Sequence, residues 1–117
     1  KKNIDLWGDG TPKRELMYSE DLAEACNFFI NKKTKETLIN VGSGKDMSIK
    51  EYAIFIRDQL NLKININFNN HKSLNGTPRK LLDVSLARTY GWKAKTSLDL
   101  GFKKTYSSFM KELSKRK

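Results

Sequence analysis

A chain of 117 residues, 38% hydrophobic and 10% aromatic, is long enough for one packed core and too apolar to stay disordered. It has no apolar run long enough to span a bilayer, its single cysteine, Cys26, excludes an internal disulfide and suits a reducing, cytoplasmic setting, and one histidine beside one cysteine cannot build a conventional structural zinc site. The net charge of +10 leaves nucleic acid, a membrane surface or a phosphorylated small molecule open as partners, against the plainer reading of a solvated basic surface.

The chain begins Lys1-Lys2 rather than with Met, as a piece of a longer protein would, although a removed tag would look the same. Asn3 to Trp7 alternates polar and apolar residues and predicts a strand ending at the Gly8-Asp9-Gly10 turn. Leu16 to Tyr18 is a brief extended stretch. Ser19 offers a helix N-cap, with Glu20 and Asp21 in the first turn, where the helix dipole favours acids. Leu22, Ala25, Cys26, Phe29 and Ile30 then fall on one helical face, which makes Cys26 a small core residue rather than a nucleophile. Thr37 to Val41 predicts a buried strand bounded by Gly42. Gly42-Ser43-Gly44-Lys45 fails the P-loop pattern, because Ile39 and Asp46 stand where a Gly and a Ser or Thr are needed.

Ser48-Ile49-Lys50-Glu51 is a capping box. The helix it opens carries Ile49, Tyr52, Ala53, Ile56 and Leu60 at helical spacing, and Asn61 can end it in the left-handed conformation. Ile64, Ile66 and Phe68 alternate with Asn65 and Asn67, which marks a half-buried strand. Asn69 to Lys80 is a long polar loop whose His71 has no visible partner and is expected in solvent. Ser85 is expected to cap a short helix stopped by Gly91, and Trp92 to pack in the core. A last helix after Thr96-Ser97 lines up Leu98, Phe102, Tyr106, Phe109 and Leu113 on a face that needs a partner, either this domain's sheet or another domain. Lys111 to Lys117 is a basic tail with four cations. The sum is a single α/β domain, residues 1–117, of short strands alternating with helices.

One short sequence occurs twice. Gly10-Thr11-Pro12-Lys13-Arg14 and Gly76-Thr77-Pro78-Arg79-Lys80 each join a Gly turn, a Thr hydroxyl and a φ-fixing Pro to two cations. Arg presents a planar fork of donors that matches phosphate oxygens, and Lys adds a point charge. Two such loops converging could grip a diphosphate; as isolated basic surface turns they would do nothing of the kind.

Four segments carry a resemblance. They are Leu6 to Glu15, Tyr18-Ser19-Glu20-Asp21-Leu22-Ala23, Ile39 to Gly44, and Gly76-Thr77-Pro78-Arg79-Lys80-Leu81-Leu82-Asp83, with Gly91-Trp92 and Ser97-Leu98 in support. In this order they resemble the small C-terminal substrate domain of an extended short-chain dehydrogenase/reductase, and within that family the GDP-L-fucose synthase group (GDP-4-keto-6-deoxy-mannose epimerase/reductases). The resemblance covers nearly the whole chain, and the Gly76 to Asp83 stretch is its most specific part. It implies that Trp7, Arg14, Arg79 and Lys80 bind substrate: Arg14 and Arg79 at the diphosphate, Trp7 against sugar or base, Lys80 as a further cation. It also implies a GDP-linked 4-keto-6-deoxy sugar as substrate, a homodimer at full length, and NADP(H) bound by a Rossmann domain absent from this chain. The group's usual Pro-Asp-Gly is here Leu74-Asn75-Gly76, and its usual Val-Asp-Asp is Ser19-Glu20-Asp21, so a related GDP-linked deoxy-sugar or heptose remains compatible.

The family's Tyr-x-x-x-Lys pair has no match, since Tyr18, Tyr52, Tyr90 and Tyr106 are followed four residues later by Leu22, Ile56, Ala94 and Met110. No catalytic residue, cofactor-binding residue or metal ligand is therefore assigned, and the chain alone is expected to be inactive. Two rivals stand beside this reading: the substrate domain of another nucleotide-sugar epimerase or dehydratase, and a small basic nucleic-acid-binding domain.

Overall fold

The computed structural model describes residues 2–116; Lys1 and Lys117, the outer ends of the basic start and basic tail, lie outside them. The chain folds as two compact units, each built from two separate stretches. Unit one holds residues up to Glu15 and Lys45–Leu81, and unit two holds Leu16–Gly44 and Leu82 onward.

In unit one, β1 (Lys2–Leu6) pairs in parallel with β4 (Ile64–Phe68), from Lys2 opposite Ile64 to Leu6 opposite Phe68. The alternation read from Ile64 to Phe68 appears as alternating half-buried and exposed side chains. Asn3 with Asn65, and Asp5 with Asn67, form a polar ladder on the outer face, their side chains 3.0 Å apart. A parallel pair needs a crossover, and α2 (Ile49–Gln59) lies in it. Ser48 and Glu51 cap α2 reciprocally, as the capping box predicted. Asn61 follows with φ +49, the left-handed stop expected of it.

The second sheet of unit one has the order β3 (Asp46–Ser48), β2 (Lys13–Glu15), β5 (Arg79–Lys80). Here the structure corrects the sequence reading, which placed both basic pentapeptides in loops. Their cations are strand residues, because each segment satisfies its backbone groups on the other. Tyr52, buried on α2, donates its hydroxyl to the Arg14 carbonyl at 2.9 Å and ties the helix to β2.

Unit two is helical. α1 (Ser19–Ile30) starts one residue earlier than expected: Tyr18 is the cap residue, without a side-chain capping bond, and Ser19 is already helical. Its inward face is Asp21, Ala25, Phe28 and Phe29, so Cys26, expected in the core, is exposed, as are Leu22 and Ile30. The face is rotated because Asp21 is 4% exposed, its carboxylate accepting from the backbone N–H and the hydroxyl of Thr96, each at 2.9 Å. Thr37 to Val41, expected as a buried strand, joins no ladder among the described residues, and Leu38 is 79% exposed. An apolar run alone does not provide the neighbouring backbone that a strand requires.

α3 (Ser85–Thr89) is preceded by Val84, and Asp83 rather than Ser85 does the capping, accepting from the Ser85 N–H at 2.9 Å. Trp92 is buried as expected, beside Ala25 and Ala87. α4 (Leu98–Lys115) is capped by Ser97 and takes in most of the basic tail. The far half of its apolar face is bare, with Tyr106, Phe109, Met110 and Leu113 all exposed.

Candidate functional site

All four residues singled out by the sequence lie in unit one. The two Gly-Thr-Pro loops, 66 residues apart, are direct neighbours. β2 and β5 run in parallel with Lys13 opposite Arg79 and Arg14 opposite Lys80. Lys13 N donates to the Pro78 carbonyl at 2.8 Å. Arg14 Nη1 donates to the Thr77 carbonyl and to the Lys13 carbonyl, each at 2.7 Å. Pro contributes by offering its carbonyl while demanding no partner for an N–H.

Side chains alternate across a strand, and opposed residues in a parallel pair share a face. Arg14 and Lys80 therefore occupy one face of the small sheet. Lys13 and Arg79 occupy the other, together with Glu15 and Asp46. On that face Arg79 forms a forked ion pair with Asp46, Nε to Oδ2 at 2.6 Å and Nη2 to Oδ1 at 3.2 Å. The Asp46 side chain is only 8% exposed, whereas that of Arg79 is 59% exposed. The hydrogen bond from Arg79 holds the Asp46 carboxyl below the usual carboxylate range, and the same contact raises Arg79. Sequence reasoning missed Asp46 as Arg79's partner; nothing local in Lys45-Asp46-Met47 signals a contact 33 residues away.

Trp7 directly follows β1 and is 80% exposed, so it is not a core residue. The turn after it depends on glycine. Gly10 has φ +79, and a Cβ there would lie 2.7 Å from a Phe68 ring carbon. His71 is exposed, as expected.

The starts of α1, α2 and α4 carry no Gly-rich turn. A pyrophosphate needs open backbone N–H groups at a Gly-rich helix N-terminus. In this chain α1 opens after Tyr18 with Glu20 and Asp21 in its first turn, α2 is closed by its own capping box, and α4 by Ser97 with Asp99 in the first turn. No described helix is long and apolar enough to cross a membrane.

The model of the NAD dependent epimerase/dehydratase family matches residues 1–42. The fold is that of a segment of an extended short-chain dehydrogenase/reductase: a GDP-mannoheptose C4 reductase from Campylobacter jejuni with NADP bound superposes with a TM-score of 0.78 at 32% identity, covering 93% of this chain and 35% of that one. Within that class the sequence is similar to the GDP-sugar members. A GDP-L-fucose synthase of Sinorhizobium fredii is 40% identical over 95% of this chain and 35% of its own length. A GDP-L-colitose synthase of Yersinia pseudotuberculosis is 40% identical over 96% of this chain and 36% of its own. The chain spans about a third of the length of the curated relatives it matches.

Proposed function

We propose that this chain is the GDP-sugar-binding part of an NADP-dependent epimerase/reductase that makes GDP-L-fucose or a related GDP-linked deoxy-sugar. The observation that carries the proposal is the pairing of the two Gly-Thr-Pro loops, which sets two arginines and two lysines on adjacent strands. Arg14 and Lys80, sharing a face, grip the diphosphate, where charge-assisted bonds are strongest. Arg79 stands on the opposite face of the sheet, ion-paired with Asp46, and adds only to the positive field of the site. The exposed indole of Trp7 packs on the sugar or base. Relatives named for GDP-sugars, rather than for nucleic acid, support this choice of ligand.

The chain's contribution to the reaction is positional. It supplies one wall that orients the sugar, and a catalytic Tyr, Lys and Ser with the cofactor site belong to a Rossmann domain elsewhere in a longer, cytoplasmic, homodimeric protein. Turnover of a GDP-4-keto-6-deoxy sugar by the isolated chain would overturn that division of labour. The binding itself is tested by calorimetric titration with GDP, UDP and duplex DNA. Tighter binding of GDP than UDP, lost in Arg14→Ala, supports the reading. Equal affinities point to another nucleotide-sugar enzyme, and DNA binding that falls steeply with salt while GDP does not bind points to a nucleic-acid module.

A further inference from the structure

We propose that Asn75 is a positioning residue of this site: its side-chain amide clasps the first basic loop to the second and so fixes the spacing at which Arg14, Lys80 and Arg79 are presented. The inference rests on reading unit one as a nucleotide-diphosphate site. Asn75 Oδ1 accepts the backbone N–H of Asp9 at 2.9 Å, and Asn75 Nδ2 donates to Asp9 Oδ1 at 2.9 Å. Such a two-way contact needs one accepting and one donating end, which an amide has and a carboxylate lacks. The same Asp9 oxygen accepts from the backbone N–H of Thr11 at 2.9 Å and from its hydroxyl at 2.6 Å. Asp9 thus sets the shape of the first loop, and Asn75 fastens that shape to the second. Gly8 makes the approach possible: its φ is +79, and a Cβ there would lie 2.4 Å from Asn75 Oδ1. Lys72 is the charged group that acts on Asp9 from the second loop. Arg14 closes the other end of the same junction on the Thr77 carbonyl.

Asn75→Asp tests the clasp without changing side-chain size. Two carboxylates in contact repel unless they share a proton, which happens only in acid. The native chain, Asn75→Asp and the exchanged pair Asp9→Asn/Asn75→Asp are titrated with GDP at about pH 8 and about pH 5, each variant being compared with the native chain at the same pH. Asn75→Asp is expected to bind roughly tenfold more weakly than native at the higher pH and within about twofold at the lower. The exchanged pair, which again sets an amide against a carboxylate, is expected to recover to within about threefold at the higher pH. A deficit equal at both pH values with no recovery in the exchanged pair, or Asn75→Asp equal to native at the higher pH, overturns the proposal. If the native chain binds no GDP, the nucleotide reading fails by itself and the clasp is decided by the thermal midpoint of unit one. A gap that closes in acid supports the clasp, and a gap independent of pH overturns it.

Discussion

Removal of the Asp21 carboxylate should loosen unit two by an amount the geometry sets. Asp21 is 4% exposed and accepts two bonds of 2.9 Å from Thr96, one from its backbone N–H and one from its hydroxyl. Hydrogen bonds to a charged group contribute about 1.5–3 kcal/mol each, and a donor left without a partner bears its own desolvation cost. Asp21→Ala strands both donors and should cost about 3 kcal/mol; Asp21→Asn keeps one acceptor and should cost about half of that. At roughly 4 °C per kcal/mol for a domain of this size, Ala lowers the thermal midpoint by about 12 °C. Tryptophan fluorescence is the assay. Trp92, 3% exposed, reports unit two, whereas Trp7, 80% exposed, changes little on unfolding. A midpoint within about 3 °C of native for Asp21→Ala, or equal losses for Asn and Ala, would refute the account of Asp21 as a charged anchor.

Further outcomes follow from single contacts. Gly10→Ala forces a Cβ to within 2.7 Å of the Phe68 ring at a φ of +79, and should lower the stability of unit one by about 2 kcal/mol in urea titration. The Asp46 carboxyl is held below its usual value of 3.8 by Arg79, so its contribution is present above that pH and is lost as the pH falls through the lowered folded value. The native chain should therefore lose stability below about pH 4 more steeply than Asp46→Asn; identical acid limbs would show that the ion pair contributes nothing. Cys26, being exposed, should react with a thiol reagent in native buffer within a few-fold of the rate in urea, whereas strong protection would place it in the core after all.

Much of the fold could be read from the chain because it is local. The capping box at Ser48, the left-handed Asn61, the alternation of Ile64 to Phe68 and the start of the last helix after Ser97 each depend on neighbours within a few residues. What escaped was long-range. The rotation of α1 that exposes Cys26 follows from Asp21 reaching Thr96, 75 residues on. The strand character of Lys13–Glu15 and Arg79–Lys80 exists only because the two segments meet. Repetition of Gly-Thr-Pro hinted at the meeting, but the placing of Arg79 with Asp46, across the sheet from Arg14 and Lys80, was settled by register alone.

The most direct test of the central claim is to titrate GDP into the isotopically labelled chain and follow its amide and indole N–H resonances by NMR. The account predicts changes concentrated at the Trp7 indole and at Arg14, Arg79 and Lys80, with residues 111–116 unmoved. Changes confined to residues 111–116, or an absence of change in unit one at saturating nucleotide, would contradict it.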